Sequence, residues 1–188
     1  MLTLFRHAEV DVTWVVFAAG GPREAEARES FEAFAADARS STVQCHAFRD
    51  GYFPYVGGEV KDVFESLKGS VEPDVIFTHA RHDRHQDHRA VSDLTWNTWR
   101  DHLVLEYEIP KYDGDLAAPN AYVAIAEGDA RRKVELLLRH FVTQRDKHWF
   151  DDELFIGLMR LRGAEARAES GYAEGFFAHK LSLGPVAS

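Results

Sequence analysis

Short apolar runs rich in β-branched residues recur along the chain and predict five strands. They cover residues 12–18, 42–48, 75–78, 103–109 and 121–125. The first of them is mostly apolar, and we expect it to be buried on both faces. Between these runs, apolar residues recur every three or four positions, which predicts helices over residues 23–38, 60–67, 90–100, 134–142 and 154–161. Residues 176–183 fit neither pattern clearly.

Strands that alternate with helices at this spacing indicate an α/β fold with a mostly parallel sheet and helices on both faces. The 188 residues contain 45% hydrophobic and 28% charged residues, which is typical of a globular protein. No linker, repeat or low-complexity tract interrupts the pattern. We therefore expect a single domain over residues 1–188.

Charge and cysteine content narrow the classes of function. The formal net charge of −9 argues against binding to nucleic acid or to an anionic membrane. The single cysteine, Cys45, excludes an intrachain disulfide and favours a reducing compartment. No apolar run approaches the roughly 20 residues that span a bilayer, and no signal peptide is visible. These features predict a cytoplasmic protein, and a homo-oligomer remains open.

Polar residues follow each of the first four predicted strands. Ligands bind beyond the carboxyl ends of the strands in an open parallel sheet, so this edge is where a site is expected. The loop after the third strand holds four histidines and two aspartates within ten positions, 79–88. Imidazole titrates near neutral pH and is the commonest ligand of transition metals. We therefore favour a functional loop over a solvated polar one.

Within this loop, His85-Gln86-Asp87-His88 is the sharpest unit. If His88 opens the next helix, His85 lies about one turn earlier and can face the same ligand. Asp87 can then orient a neighbouring imidazole. A catalytic zinc ion needs about three protein ligands and an open position for water, and this loop alone offers no certain set of three.

Further motifs follow in order through nearly the whole chain. They are Arg23-x-x-Glu26-Ala27-x-x-Ser30, Thr78-His79 ahead of His85-x-Asp87-His88, Glu108-Ile109-Pro110, Pro119-Asn120-Ala121-Tyr122-Val123, Phe141-x-x-Gln144, Arg162-Gly163 and Gly171-Tyr172-Ala173-Glu174. This ordered set resembles the PIG-L/LmbE-like zinc-dependent N-deacetylases, which remove acetyl groups from amino sugars and their conjugates. The resemblance implies a Rossmann-like α/β fold and an N-acetylated sugar as substrate.

The resemblance also implies roles for individual residues. His88 matches a zinc ligand of the family, and His85 matches the imidazole that helps to stabilise the oxyanion. Asp87 matches the carboxylate that supports this imidazole, and Arg23 is expected to contact the substrate. The family's other two zinc ligands and its general base come from an early H-P-D-D motif.

The sequence departs from the family because it contains no H-P-D-D motif. We interpret the chain as a family member shortened at its N-terminus, without the family's first strand. That strand lies between the strands that match residues 12–18 and 75–78, so we predict a gap or collapse of the sheet there, or a strand supplied by another chain. We also expect weak zinc binding and impaired activity.

Two alternatives stay open. The chain could be a non-catalytic remnant that keeps a sugar-binding edge, which an H-P-D-D motif encoded upstream of Met1 would argue against. It could also be a metal-dependent phosphoesterase that uses the histidine-rich loop. That interpretation requires a second metal and further carboxylates near His85, which the sequence does not place.

Overall fold

The computed structural model describes residues 9–181 of the chain. Six strands lie at β1 Asp11–Val16, β2 Ser40–Cys45, β3 Val75–His79, β4 Leu103–Tyr107, β5 Ala121–Ala124 and β6 Ala173–Ala178. Five helices lie at α1 Pro22–Phe34, α2 Gly57–Lys68, α3 Gln86–Thr98, α4 Glu127–His140 and α5 Asp152–Glu165. Two short 3₁₀ turns cover Phe53–Tyr55 and Val142–Gln144.

The strands form two hydrogen-bonded sheets, which confirms the α/β class. Strand β1 pairs with β2 in parallel. The second sheet has the order β3-β4-β6-β5, with β3 and β4 parallel and β4 and β6 antiparallel. The segment that the sequence left ambiguous therefore begins within an antiparallel strand, β6. The predicted gap in the sheet would be wrong if β1 paired directly with β3. Among the described strands they do not pair, because β1 and β3 belong to different sheets.

The chain divides into two compact units. Of the described residues, the first unit takes 9–50, 110–112 and 122–174, and the second takes 51–109, 113–121 and 175–181. Strands β5 and β6 contribute residues to both units. The expectation of one domain over the whole chain stays a prediction.

In the first unit, the helical stripe that the sequence predicts faces the core. Phe31 and Phe34 of α1 are buried, and the ring of Trp14 in β1 meets Phe31 edge-on at 5.7 Å between ring centroids. The expectation that β1 is buried on both faces is wrong, because its residues alternate between exposed and half-buried over most of its length. A two-stranded sheet with α1 packed on it leaves the rest of β1 accessible.

The second packing layer of this unit joins α4 to α5. Ala130 and Val134 of α4 share a core cluster with Phe155 and Met159 of α5. A Cβ atom on Gly163 of α5 would lie 2.1 Å from the carbonyl oxygen of Gly171, so the close approach of the segment after α5 to this helix requires glycine. Two of the sequence motifs therefore meet for a packing reason.

In the second unit, packing fixes the strand and the helix that flank the histidine-rich loop. Val60, Phe64 and Leu67 of α2 are buried, as their spacing predicts. The hydroxyls of Thr78 in β3 and Thr95 in α3 share a buried hydrogen bond of 3.0 Å. The end of β3 and the start of α3 are therefore held in a defined relation.

Several boundaries differ from the sequence prediction. Helix α3 begins at Gln86 rather than at residue 90, because His85 caps it. Helix α1 ends at Phe34, four residues before the predicted end, and β2 ends at Cys45. Within the part of the chain that the structure describes, no helix is long and apolar enough to cross a membrane.

Candidate active site

The loop between β3 and α3 is organised by the carboxylate of Asp83. This residue is only 5% exposed. Its Oδ1 accepts a hydrogen bond from the backbone N–H of His85 at 2.7 Å, and its Oδ2 lies 2.8 Å from Nδ1 of His88. One buried carboxylate therefore fixes both the backbone just before α3 and the imidazole of His88 in the first turn of α3.

The imidazole of His88 lies between two other imidazoles. Its ring stacks on His79 at 4.2 Å between centroids and on His85 at 4.5 Å, with 28° between the last two planes. His85 and His88 therefore lie together beyond the end of the parallel strand β3, and the roles expected for them stay predictions. His79, the last residue of β3, completes the stack.

The hydrogen bonds assign different nitrogens of these rings to different tasks. Nδ1 of His85 accepts the backbone N–H of Asp87 at 3.3 Å, so the proton of the neutral ring lies on Nε2. Nδ1 of His88 faces the Asp83 carboxylate and donates to it, which leaves Nε2 as the nitrogen that can bind a metal. The tautomer of His85 suits a hydrogen-bond donor, and the tautomer of His88 suits a metal ligand.

Asp87 is 3% exposed and is held by a neighbouring loop. Its carboxylate accepts the backbone N–H groups of Gly51 at 2.6 Å and Phe53 at 3.0 Å. Both oxygens therefore position the chain after β2, while the carboxylate next to the imidazole of His88 is that of Asp83. The catalytic role that the resemblance implies for Asp87 stays a prediction.

A fully buried carboxylate, Glu106 in β4, anchors the start of the same loop. It accepts hydrogen bonds from both the backbone N–H and the Nε–H of Arg81, at 2.9 and 3.0 Å. Nε1–H of Trp96 donates to it at 2.7 Å, and Nε2 of His179 lies 3.0 Å away. Burial acts to raise the pKa of Glu106, but these hydrogen bonds outweigh it and the pKa lies below its usual value.

The loop after β4 brings two more carboxylates to this edge. Asp83, Asp113 and Asp115 each place one oxygen within 4.8 Å of the others. Oδ2 of Asp115 also accepts the backbone N–H of Arg84 at 2.8 Å. The loops after β3 and β4 thus converge, as the strand order predicts. A set of oxygen ligands alone suits Mg²⁺ or Ca²⁺ better than zinc.

The base of the histidine stack is also fixed. The hydroxyl of Tyr107, in β4, lies 3.2 Å from Nε2 of His79. Burial, together with the negative charge of Asp83, raises the pKa of Tyr107 well above its usual value. The phenol and the imidazole share this hydrogen bond, and either group can be the donor, depending on the tautomer of His79.

Arg23 belongs to the first unit. It lies in the first turn of α1, and its Nη1 forms an ion pair with Asp50, just beyond β2, at 3.0 Å. The loops that follow β1 and β2 therefore converge within this unit. The expected contact between Arg23 and substrate stays a prediction.

Sequence reasoning misses three residues that build the site. Asp83 lies in the predicted loop without an assigned role, although it is the carboxylate next to His88. His79 and Glu106 carry no role beyond their places in strands and motifs. The available signal was an acidic residue, Glu106, within an otherwise apolar strand, since such a residue needs buried partners.

A stack of imidazoles beside a buried carboxylate, beyond the end of a parallel strand, is an arrangement that can bind a metal ion and donate hydrogen bonds. A family model described as PIG-L, GlcNAc-PI de-N-acetylase, matches residues 6–99, half of the chain. The chain belongs to this family of N-deacetylases. The matched segment contains the whole loop from His79 to His88.

Several solved structures have a similar fold. A conserved protein from Thermus thermophilus is 18% identical, with a TM-score of 0.67 over 96% of this chain and 85% of that one. N,N'-diacetylchitobiose deacetylase from Pyrococcus horikoshii is 17% identical, with a TM-score of 0.60 over 89% and 72%. The zinc-inhibited form of teicoplanin deacetylase is 16% identical, with a TM-score of 0.64 over 91% and 87%. A comparison with curated proteins finds no match.

Proposed function

We propose that this chain carries the later half of the active site of a zinc-dependent N-deacetylase that acts on an amino sugar or a sugar conjugate. The observation that carries the proposal is the His85–His88 stack with Asp83 hydrogen-bonded to His88. Family membership supports amide hydrolysis as the reaction. Two proteins of similar fold, a diacetylchitobiose deacetylase and a teicoplanin deacetylase, support an acetylated sugar or glycoconjugate as substrate.

The residues present fit zinc at one position. A histidine that binds zinc usually donates its other ring N–H to a carboxylate, which fixes the tautomer and raises the basicity of the ligand. His88 has this arrangement, with Asp83 at 2.8 Å from Nδ1 and the ring held on both faces. We therefore assign Nε2 of His88 as the zinc ligand of this chain.

Bound zinc would lower the pKa of a coordinated water molecule towards ~7, which supplies hydroxide at neutral pH. His85 would donate its Nε2–H to the acetyl oxygen as negative charge develops there. Such a donor is commonly worth about 3 kcal/mol of transition-state stabilisation. Asp83 would hold both imidazoles in place through the backbone of His85 and the ring of His88.

The activity of the 188 residues alone is proposed to be impaired. Of the family's zinc ligands only His88 is present, because the sequence holds no H-P-D-D motif. The carboxylate that the family uses as base belongs to the same motif. We therefore expect weak zinc binding and little turnover from this polypeptide.

The test combines zinc titration with acetate release. Wild-type protein and His88→Ala are titrated with zinc by calorimetry and incubated with N-acetylglucosamine and N,N'-diacetylchitobiose, with Leu161→Ala as an exposed control. We expect weak binding that His88→Ala abolishes and Leu161→Ala preserves. Tight stoichiometric binding in His88→Ala would contradict the assignment of the ligand. Tight zinc binding by the wild type, but not by His88→Ala, would contradict the expectation that this polypeptide binds zinc weakly.

A second candidate, a metal-dependent phosphoesterase, is favoured only by the carboxylates of Asp83, Asp113 and Asp115. Release of phosphate from p-nitrophenyl phosphate in the presence of Mg²⁺, without release of acetate from either sugar, would select it. Sugar binding with neither release, and without zinc binding that depends on His88, would select the non-catalytic alternative. A cytoplasmic location stays part of the proposal.

A further inference from the structure

The loop after β2 is attached directly to the H-Q-D-H motif. Two of its backbone N–H groups, those of Gly51 and Phe53, donate to the buried carboxylate of Asp87. Nε2–H of Gln86 donates to the carbonyl of Gly51. All four residues belong to the second unit. Two residues next to the candidate catalytic histidines thus determine where residues 51–55 lie.

The backbone of this loop is well defined. Gly51 has a φ of +81°, which favours glycine. Phe53 is 5% exposed and fixes the following 3₁₀ turn, Phe53–Tyr55, to the interior. Pro54 restricts φ within that turn. The loop is therefore held by burial, by hydrogen bonds and by its own dihedral angles.

This fixed loop displays two tyrosine rings to solvent. Tyr52 is 40% exposed and Tyr55 is 75% exposed. Their centroids are 5.9 Å apart and their planes are inclined by 58°. Most large aromatic rings bury their faces, so a neighbouring pair on a rigid turn beside a polar site is a candidate contact surface.

The chemistry of the pair fits a neutral ring with an apolar face and polar edges. The faces of aromatic rings carry partial negative charge and attract the C–H groups of a pyranose, while the phenolic hydroxyls can bond to its substituents. The net charge of −9 disfavours an anionic membrane or a nucleic acid as the occupant.

We propose that Tyr52 and Tyr55 form a stacking subsite for a second sugar ring attached to the N-acetylated one. This inference rests on the proposed function, because it deepens the substrate class of the same site. It predicts that the chain binds a disaccharide more tightly than a monosaccharide, and that Tyr55 provides most of this difference in affinity.

The test is binding, so that it does not depend on turnover. Wild type, Tyr55→Ala, Tyr55→Phe and Leu161→Ala are titrated with N,N'-diacetylchitobiose and with N-acetylglucosamine, followed by NMR chemical shifts. Tyr55→Ala should weaken disaccharide binding by about tenfold and leave monosaccharide binding nearly unchanged. Tyr55→Phe keeps the ring and should retain most of the affinity, and the control Leu161→Ala should behave as wild type.

Equal disaccharide affinity in wild type and Tyr55→Ala, or no disaccharide binding by the wild type, would overturn the subsite. An equal loss of affinity for the disaccharide and the monosaccharide in Tyr55→Ala would also overturn the subsite. Failure of the proposed function is a separate result: zinc binding that His88→Ala leaves unchanged, together with disaccharide binding through Tyr55, refutes the proposed zinc site and keeps the subsite. Conversely, zinc binding that depends on His88, together with equal disaccharide affinity in wild type and Tyr55→Ala, keeps the proposed function and overturns the subsite.

Discussion

Polar side chains in and beside the β3–α3 loop of the second unit and those that follow β1 and β2 in the first unit are held in different ways. Asp83, Asp87 and Glu106 are at most 5% exposed and accept hydrogen bonds from backbone or ring donors. Arg23 and Asp50 form one ion pair, and their side chains are 39% and 51% exposed. The first group is fixed by folding, whereas the second is a surface pair.

This difference has consequences for function. A buried carboxylate with several donors sets atomic positions before a ligand arrives, as transition-state stabilisation requires. An exposed ion pair contributes little to stability and can be exchanged for contacts with a ligand at small cost. We therefore expect the buried carboxylates to keep their positions and the Arg23–Asp50 pair to rearrange easily.

The largest effect is expected from Glu106→Ala. The substitution removes a fully buried acceptor and leaves partly buried donors on Arg81, Trp96 and His179 without it, and the free energy of unfolding should fall by about 3 kcal/mol. Urea denaturation followed by tryptophan fluorescence measures it. Glu106→Gln keeps the shape and one acceptor, and should cost about half as much. A loss below ~1 kcal/mol in Glu106→Ala would show that this carboxylate is not a fixed anchor.

Asp87→Ala should have the second-largest effect. The free energy of unfolding should fall by about 2 kcal/mol, because two backbone N–H groups lose a charged acceptor. Hydrogen exchange should accelerate at the amides of Gly51 and Phe53 and much less at those of α4. Asp87→Asn retains one acceptor oxygen and serves as the matched variant. Unchanged protection of both amides in Asp87→Ala would contradict the role given to this carboxylate.

The fold class was predictable because periodicity depends on local sequence. The stripe of Val60, Phe64 and Leu67 predicts α2, and all three are buried. Boundaries were less predictable: α3 begins at Gln86 because the side chain of His85 caps it, and a capping contact leaves no mark in hydrophobic spacing. The exposure of β1 depends on how many strands its sheet has, which its own residues do not encode.

The candidate site was predictable in part for the same reason. The proximity of His85 and His88 follows from their spacing at the start of a helix. The pairing of Asp83 with His88 depends on the path of a loop, and two aspartates lie close to these histidines in sequence. Glu106 is 25 residues from Arg81 along the chain, so only the parallel pairing of β3 with β4 brings them together.

A smaller effect is expected on how the stability of the protein depends on pH. The pKa of Glu106 is lowered in the folded protein, because hydrogen bonds to its carboxylate outweigh the effect of burial. Its stabilising contribution is therefore present above its unfolded pKa and is lost as the pH falls through the lower, folded value. Urea midpoints measured from pH 6 downwards should fall faster in wild type than in Glu106→Gln. Parallel profiles would show that another group accounts for acid sensitivity.

The smallest change in stability is expected from Arg23→Ala. The ion pair with Asp50 is exposed on both sides, and such pairs typically contribute about 0.5 kcal/mol or less. If Arg23 contacts substrate, titration with N-acetylglucosamine should show weaker binding at unchanged stability, and Asp50→Asn should not reproduce the stability change seen for buried carboxylates. A loss above ~2 kcal/mol in Arg23→Ala would mean that this pair is also a fixed element, and the contrast between the two regions would fail.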